Sequence, residues 1–262
     1  MGKVKIKRKS TLIDMTAMSD VTVLLLTFFM LTSTFLQKEP TIVYTPSSVS
    51  EEKVPINNLA TILVSCADKS GKLEDPTTVE GKIFISFTGD ADSTYSSVRL
   101  RKDVLQEAVA LYNEKHQNAP VRLTNAQVDA FGEIHMFGVP FRVLPAFLDM
   151  DVAERDKFLG NLSDPNVGIP IDDNKDRYGR LNDFQVWLQA IYNVAQRYNN
   201  EQTDLPEGHV NLYGALMRQG EGIAVKADKD TPFTTVHRIF DNLQTMKLNK
   251  FSLMTALKSE EE

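Results

Sequence analysis

Residues 17–36 (AMSDVTVLLLTFFMLTSTFL) form a run of 20 residues whose only ionisable side chain is Asp20. No other stretch constrains the fold as much, because ~20 predominantly apolar residues are what a helix needs to cross a bilayer core. A chain with such a run near its N-terminus reads as an anchor joined to a separately folded body. An acid at that depth costs about 2.5–3.5 kcal/mol on insertion scales, and intramembrane acids are functional candidates by default. The plainer alternative is an interfacial charge that stabilises the helix N-terminus through its dipole. A carboxylate one turn inside the boundary can serve either way.

Five bases (Lys3, Lys5, Lys7, Arg8 and Lys9) precede the run. By the positive-inside rule they keep the N-terminus in the cytoplasm and place the residues after 37 across the membrane. A cleaved signal peptide shares these ingredients. This run is too long for one, carries an acid, and lacks an A-x-A site before Gln37. Of the chain's 29 Lys+Arg and 35 Asp+Glu, five and two fall in residues 1–36, so the remainder holds 24 against 33. An acidic body argues against a nucleic-acid partner, which wants a basic face. Cys66 is the single cysteine, so no internal disulfide is available and the fold cannot depend on one.

Beyond the run, residues 37–58 read as a Pro- and Ser-rich linker with one β-prone stretch, 41–45, able to pair. Residues 59–65 (LATILVS) and 82–87 (KIFISF) read as strands, and 101–115 carries a helical apolar stripe. Residues 116–205 read as a mostly helical insertion with caps at Thr124 and Asp151 and a long helix over 181–198. Residues 222–227 (GIAVKA) read as a strand. A helix over 232–246 comes next, capped by Thr231 with Pro232 at its first position, then a strand over 250–255. The expectation is an α+β chain: a transmembrane helix, then a ββαβαβ two-layer sandwich built from 59–115 and 206–258, with 116–205 inserted after its first helix.

On a helix, residues seven apart lie nearly over one another. Thr27 and Thr34 therefore share the Asp20 stripe, and Thr16 lies one turn before it. A polar stripe on a spanning helix should face protein or a hydrated cavity rather than lipid. Protonated, Asp20 is neutral and moves cheaply past an apolar wall; ionised, it stays with water or a hydroxyl-bearing partner. Each charge that crosses the membrane releases about 2.3 kcal/mol per 100 mV.

Other motifs read more plainly. Residues 171–183 (IDDNKDRYGRLND) set Asp172, Asn174, Asp176 and Asp183 at calcium-loop positions, but Arg177 replaces the turn glycine, so a solvated loop before a helix is favoured. His116, His135, His209 and His237 show no ligand spacing, and no phosphate-binding glycine loop is present. Trp187 with Phe184, Leu188 and Ile191 reads as core rather than as a partner face.

Residues 13–30 (IDMTAMSDVTVLLLTFFM) resemble the membrane signature of the ExbD/TolR family, with Asp20 at the family's essential aspartate, Asp14 in place of the usual Asn and Ala17 in place of the usual Pro. Residues 225–229 (VKADK) and 232–253 are similar to its last strand-turn, helix and closing strand. The resemblance implies an inner-membrane, single-pass subunit with a periplasmic domain, driven by the proton motive force and not an enzyme. Asp20 would be the proton carrier, with Thr16, Thr27 and Thr34 lining the path, protons as coupling ion and no cofactor. The implied partners are an ExbB-like polytopic pentamer, a second copy of the chain, membrane lipid, and a TonB-like protein acting on outer-membrane receptors. The alternative inside the family is a TolR-like tethered protein for envelope maintenance or peptidoglycan contact. Outside it, an anchored enzyme would need a catalytic pocket in 116–205.

Overall fold

The computed structural model describes residues 15–32, 39–49, 54–66, 81–90, 95–172, 181–202, 210–217 and 221–257. The chain divides into two units, Met1–Lys38 and Glu39–Glu262. The first contains helix α1 (Met15–Thr32), 18 residues long. At 1.5 Å per residue it rises about 27 Å, short of the ~30 Å hydrocarbon core. Among the described residues no helix is long and apolar enough to cross a membrane. Thr16, Ser19, Asp20, Thr22 and Thr27 dilute the apolar run, and residues 33–36 lie outside those described.

The second unit begins with an extended strap. Its β1 (Ser47–Ser48) lies two residues beyond the expected pairing stretch 41–45, which forms no strand. Tyr44 is occupied otherwise: its carbonyl accepts from Lys229 N at 2.8 Å, and its N–H donates to Asp228 Oδ2 at 3.4 Å. Next come β2 (Ala60–Cys66) and β3 (Gly81–Phe87), an antiparallel pair in register from Ala60–Phe87 to Cys66–Gly81. Both are nearly continuous apolar runs buried on two faces, the pattern of a covered strand.

Helix α2 (Ser97–Lys115) starts four residues before the expected stripe because the Ser96 hydroxyl caps it, accepting from Arg99 N. The middle of the chain supplies α3 (Asn125–Gly132), β4 (Met136–Phe137), α4 (Leu144–Asp149), α5 (Val152–Gly160) and α6 (Asp183–Glu201). Thr124 and Asp151 cap α3 and α5 as expected, and Asn182 caps α6, each in a reciprocal capping box. The chain continues with α7 (Leu212–Met217), β5 (Ile223–Ala227), α8 (Phe233–Thr245), β6 (Ser252–Leu253) and β7 (Ala256–Leu257). Pro232 itself is the N-cap of α8, with extended ψ, so Thr231 is not the cap. Thr231 instead closes a turn on Asp228 through its backbone N–H.

The molecule is mixed α+β with a five-stranded sheet ordered β4-β3-β2-β5-β6. β2 pairs in parallel with β5 and β5 with β6, so the chain returns through helices between them. The strand expected over 250–255 is shortened to β6. Met254 N donates to Val225 O, after which β7 leaves the sheet to pair in parallel with β1.

Helices α2 and α6 pack on each other and share one core with the sheet. Trp187, Phe131, Phe137 and Phe141 from the middle segment join Ile62, Phe84 and Val225 of the strands. Trp187 is fully buried, with ring centroids 5.0 Å from Phe141 and 5.7 Å from Phe131, both stacked. The core reading of its stripe is correct. Gly138 is required where β4 leaves the sheet, since a Cβ there would sit 2.5 Å from Phe84 Cδ1 and 2.7 Å from Ile83 O.

Candidate functional site

On α1 the Asp20 carboxylate is exposed, as are the other described side chains of that helix. Thr16 lies one turn away at i−4. Thr27 lies seven residues on, about 20° off the same stripe and about 10 Å along the axis. Asp20 and Thr16 are therefore neighbours, whereas Asp20 and Thr27 share a face without reaching each other. Thr34, the fourth residue of the expected path, lies outside the described residues.

Three hydroxyls on this helix are turned onto its own backbone. Ser19 Oγ donates to Met15 O at 2.8 Å, Thr22 Oγ1 to Met18 O at 2.7 Å, and Thr27 Oγ1 to Leu24 O at 2.9 Å. Each hydroxyl thus commits its hydrogen locally and keeps its oxygen as an acceptor. A protonated carboxyl is the complementary donor. Around the rest of the helix, Val23, Leu26, Phe29 and Leu31 are exposed apolar side chains.

The second unit begins where Glu39 meets Lys226 of β5, with Nζ 2.6 and 2.8 Å from the two carboxylate oxygens. Beyond it Thr41 is buried, Val43 packs on the core, and Ala256 N donates to Pro46 O. The strap from residue 39 to 48 is thus fastened at both ends. The sequence offers one signal for this, the lone lysine in the apolar run 222–227, but a strand pattern does not name the carboxylate that answers it.

The remaining candidates take ordinary structural roles. Asp172 accepts from Asn182 Nδ2 at 2.7 Å, and Asp183 accepts from Phe141 N at 3.2 Å. The calcium-loop residues 173–180 between them lie outside the described residues, and among the described residues no cluster could hold a metal ion. Burial pushes the Asp183 carboxyl above its ordinary value, and the hydrogen bond from Phe141 partly offsets the push. His135 Nδ1 lies 3.0 Å from the Arg101 guanidinium, whose other arm donates to Gly132 O. Desolvation first and the Arg101 charge second hold His135 below the usual histidine range. His116 stacks on Tyr112, His237 meets Asp241 at 3.0 Å, and His209 lies outside the described residues.

Residues 7–131 match the family model described as biopolymer transport protein ExbD/TolR. The match takes in α1, the strap, β2, β3, α2 and nearly all of α3. The remaining middle helices and the C-terminal 225–253 stretch lie beyond it. No curated protein matches, and no solved structure matches. Members of the matched family are inner-membrane-anchored, non-enzymatic accessory proteins of transport that work in complexes with partners.

Proposed function

We propose that this chain, whose residues 7–131 match the ExbD/TolR family model, is the proton-carrying subunit of an inner-membrane motor that energises outer-membrane transport. The family points to a biopolymer-transport energiser subunit. The finer reading rests on one observation: a helix with an exposed apolar surface carries a single carboxylate, Asp20, in line with Thr16 and Thr27. A lipid-facing helix has no use for that stripe. A helix enclosed by a polytopic partner has one.

In this reading the membrane segment runs over 17–36, with the N-terminal bases in the cytoplasm and the second unit in the periplasm. Asp20 takes a proton from one side, becomes neutral and passes the apolar wall of an ExbB-like ring. It then releases the proton toward the hydroxyl acceptors of Thr16, Thr27 and Thr34. The family's partners carry the rest: a second copy of the chain within the ring, and a TonB-like protein engaged by the periplasmic body.

The test is Asp20→Asn in the intact complex. It should abolish proton-motive-force-dependent uptake while leaving membrane insertion and ring assembly unchanged, because Asn is isosteric and cannot carry the proton. Full uptake by this variant would refute the proton-carrier role and leave the passive, envelope-maintaining tether in its place.

A further inference from the structure

A cleft of about 180 Å³ opens in the second unit between the start of β3, the loop over 165–171 and the first half of α8. Two of its lining side chains are cations, Lys82 and Arg238, and Thr235 stands with them. They belong to a body whose acids outnumber its bases.

The Lys82 ammonium is half-buried, and among the described residues it meets a carbonyl, Asp164 O at 3.2 Å, and no carboxylate. The nearby Asp164 carboxylate is engaged in its own turn, accepting from Asn166 N at 2.8 Å. A partly desolvated cation held only by a neutral acceptor keeps two donor positions and most of its charge unanswered. Thr235 Oγ1 accepts from Gly81 N at 3.2 Å, so its hydroxyl hydrogen is left to donate.

The opposite wall offers no competing donors. Pro165 and Pro170 have no N–H, while Gly168 N and Ile169 N are committed to Gly138 O at 2.8 Å and Ile83 O at 2.9 Å. The second of these bonds also ties the wall to β3. Gly168 sits at φ +95°, and a Cβ there would lie 3.0 Å from Lys82 Cδ, so the glycine leaves room for the lysine stem. The wall that remains, Val167, Ile169 and Ile171, is apolar.

We propose that this cleft binds an oxyanion, a phosphate or carboxylate group, through Lys82, Arg238 and Thr235, with an apolar flank of the ligand against Val167 and Ile169. Its volume is below the roughly 300–1,000 Å³ of sites that enclose a whole drug-sized molecule. It therefore seats one anionic group and its immediate neighbour. The site is independent of the proton-carrier role, since it lies wholly in the second unit.

The experiment is calorimetric titration of the full chain in neutral detergent with inorganic phosphate, with citrate, and with glycerol 1-phosphate as a soluble lipid headgroup. Ionic strength is held constant with chloride. Saturable one-site binding is expected for phosphate or citrate. Lys82→Gln and Arg238→Gln should each weaken it about tenfold or more, the scale of one charge-assisted bond. Lys82→Arg should retain it, and Lys250→Gln, a cation elsewhere on the body, should leave it unchanged. Tighter binding of glycerol 1-phosphate than of phosphate assigns the site to a headgroup; equal binding assigns it to the free anion. Heat that does not saturate, or binding equal in wild type, Lys82→Gln and Arg238→Gln, overturns the proposal. Unchanged thermal unfolding of the variants separates loss of binding from loss of fold.

Discussion

Replacing Lys226 by Met should loosen the strap while leaving the body intact. Lys226 Nζ is bidentate to Glu39 at 2.6 and 2.8 Å, with the two side chains 20% and 38% exposed. Exposed pairs of this kind contribute about 0.2–1 kcal/mol. The short paired geometry and the low exposure of the lysine put this one near the top of that range. Methionine keeps the aliphatic stem, so only the charge is lost. About 1 kcal/mol corresponds to about a fivefold rise in the open fraction of the strap, at 1.36 kcal/mol per decade.

The readout is hydrogen exchange at three amides that the docked strap protects: Tyr44, bonded to Asp228 Oδ2; Lys229, bonded to Tyr44 O; and Ala256, bonded to Pro46 O. They should exchange a few-fold faster in Lys226→Met, while the amides of β2 and β3 keep their rates, because the strap opens locally. The charge-swapped double variant Glu39→Lys with Lys226→Glu should restore protection, and the double-mutant cycle isolates the pair. Unchanged exchange at the three amides refutes the reasoning. So does equal acceleration across the sheet, which would mean the pair supports the whole body.

Trp187→Ala should destabilise the second unit by about 3–5 kcal/mol, because the ring is fully buried and stacked on Phe131 and Phe141; urea unfolding of the full chain measures it. Asp183 makes stability pH-dependent in a defined direction. Burial raises its folded-state value, so the folded chain holds the proton more tightly than the unfolded one. Its contribution is complete below about pH 4 and is lost as the pH rises through the folded value. Asp183→Asn should flatten that decline in the urea midpoint above about pH 4; an unchanged slope would show that another group titrates there.

Much of the body is legible in the sequence because its signals are local. β2 and β3 are β-branched runs ended by turn residues, and Thr124 and Asp151 cap α3 and α5 through contacts three residues away. Elements set by partners far along the chain are not legible. The stretch 41–45 has the composition of a strand, yet Tyr44 bonds to a turn more than 180 residues away. The pairing falls instead at Ser47–Ser48 because β7 arrives there. Two-residue β4 carries no period of its own and exists because β3 offers it an edge.

The order of residues is enough to establish an acidic body behind a basic, apolar N-terminus, an Asp20 that stands alone in that apolar run, and a Thr16 and Thr27 that fall on its face. Helical spacing and charge counts are properties of neighbours in the chain, so no fold is needed to read them. Folding was required to reveal that the middle segment shares the sheet's core around Trp187, that Glu39 is held by Lys226, and that Lys82, Thr235 and Arg238 converge on one cleft. Glu39 and Lys226 are 187 positions apart, and Lys82 is more than 150 from Thr235 and Arg238, which share one turn of α8. Only the close packing of β3, β5 and α8 brings them within reach, and no local pattern records a contact made across such a distance.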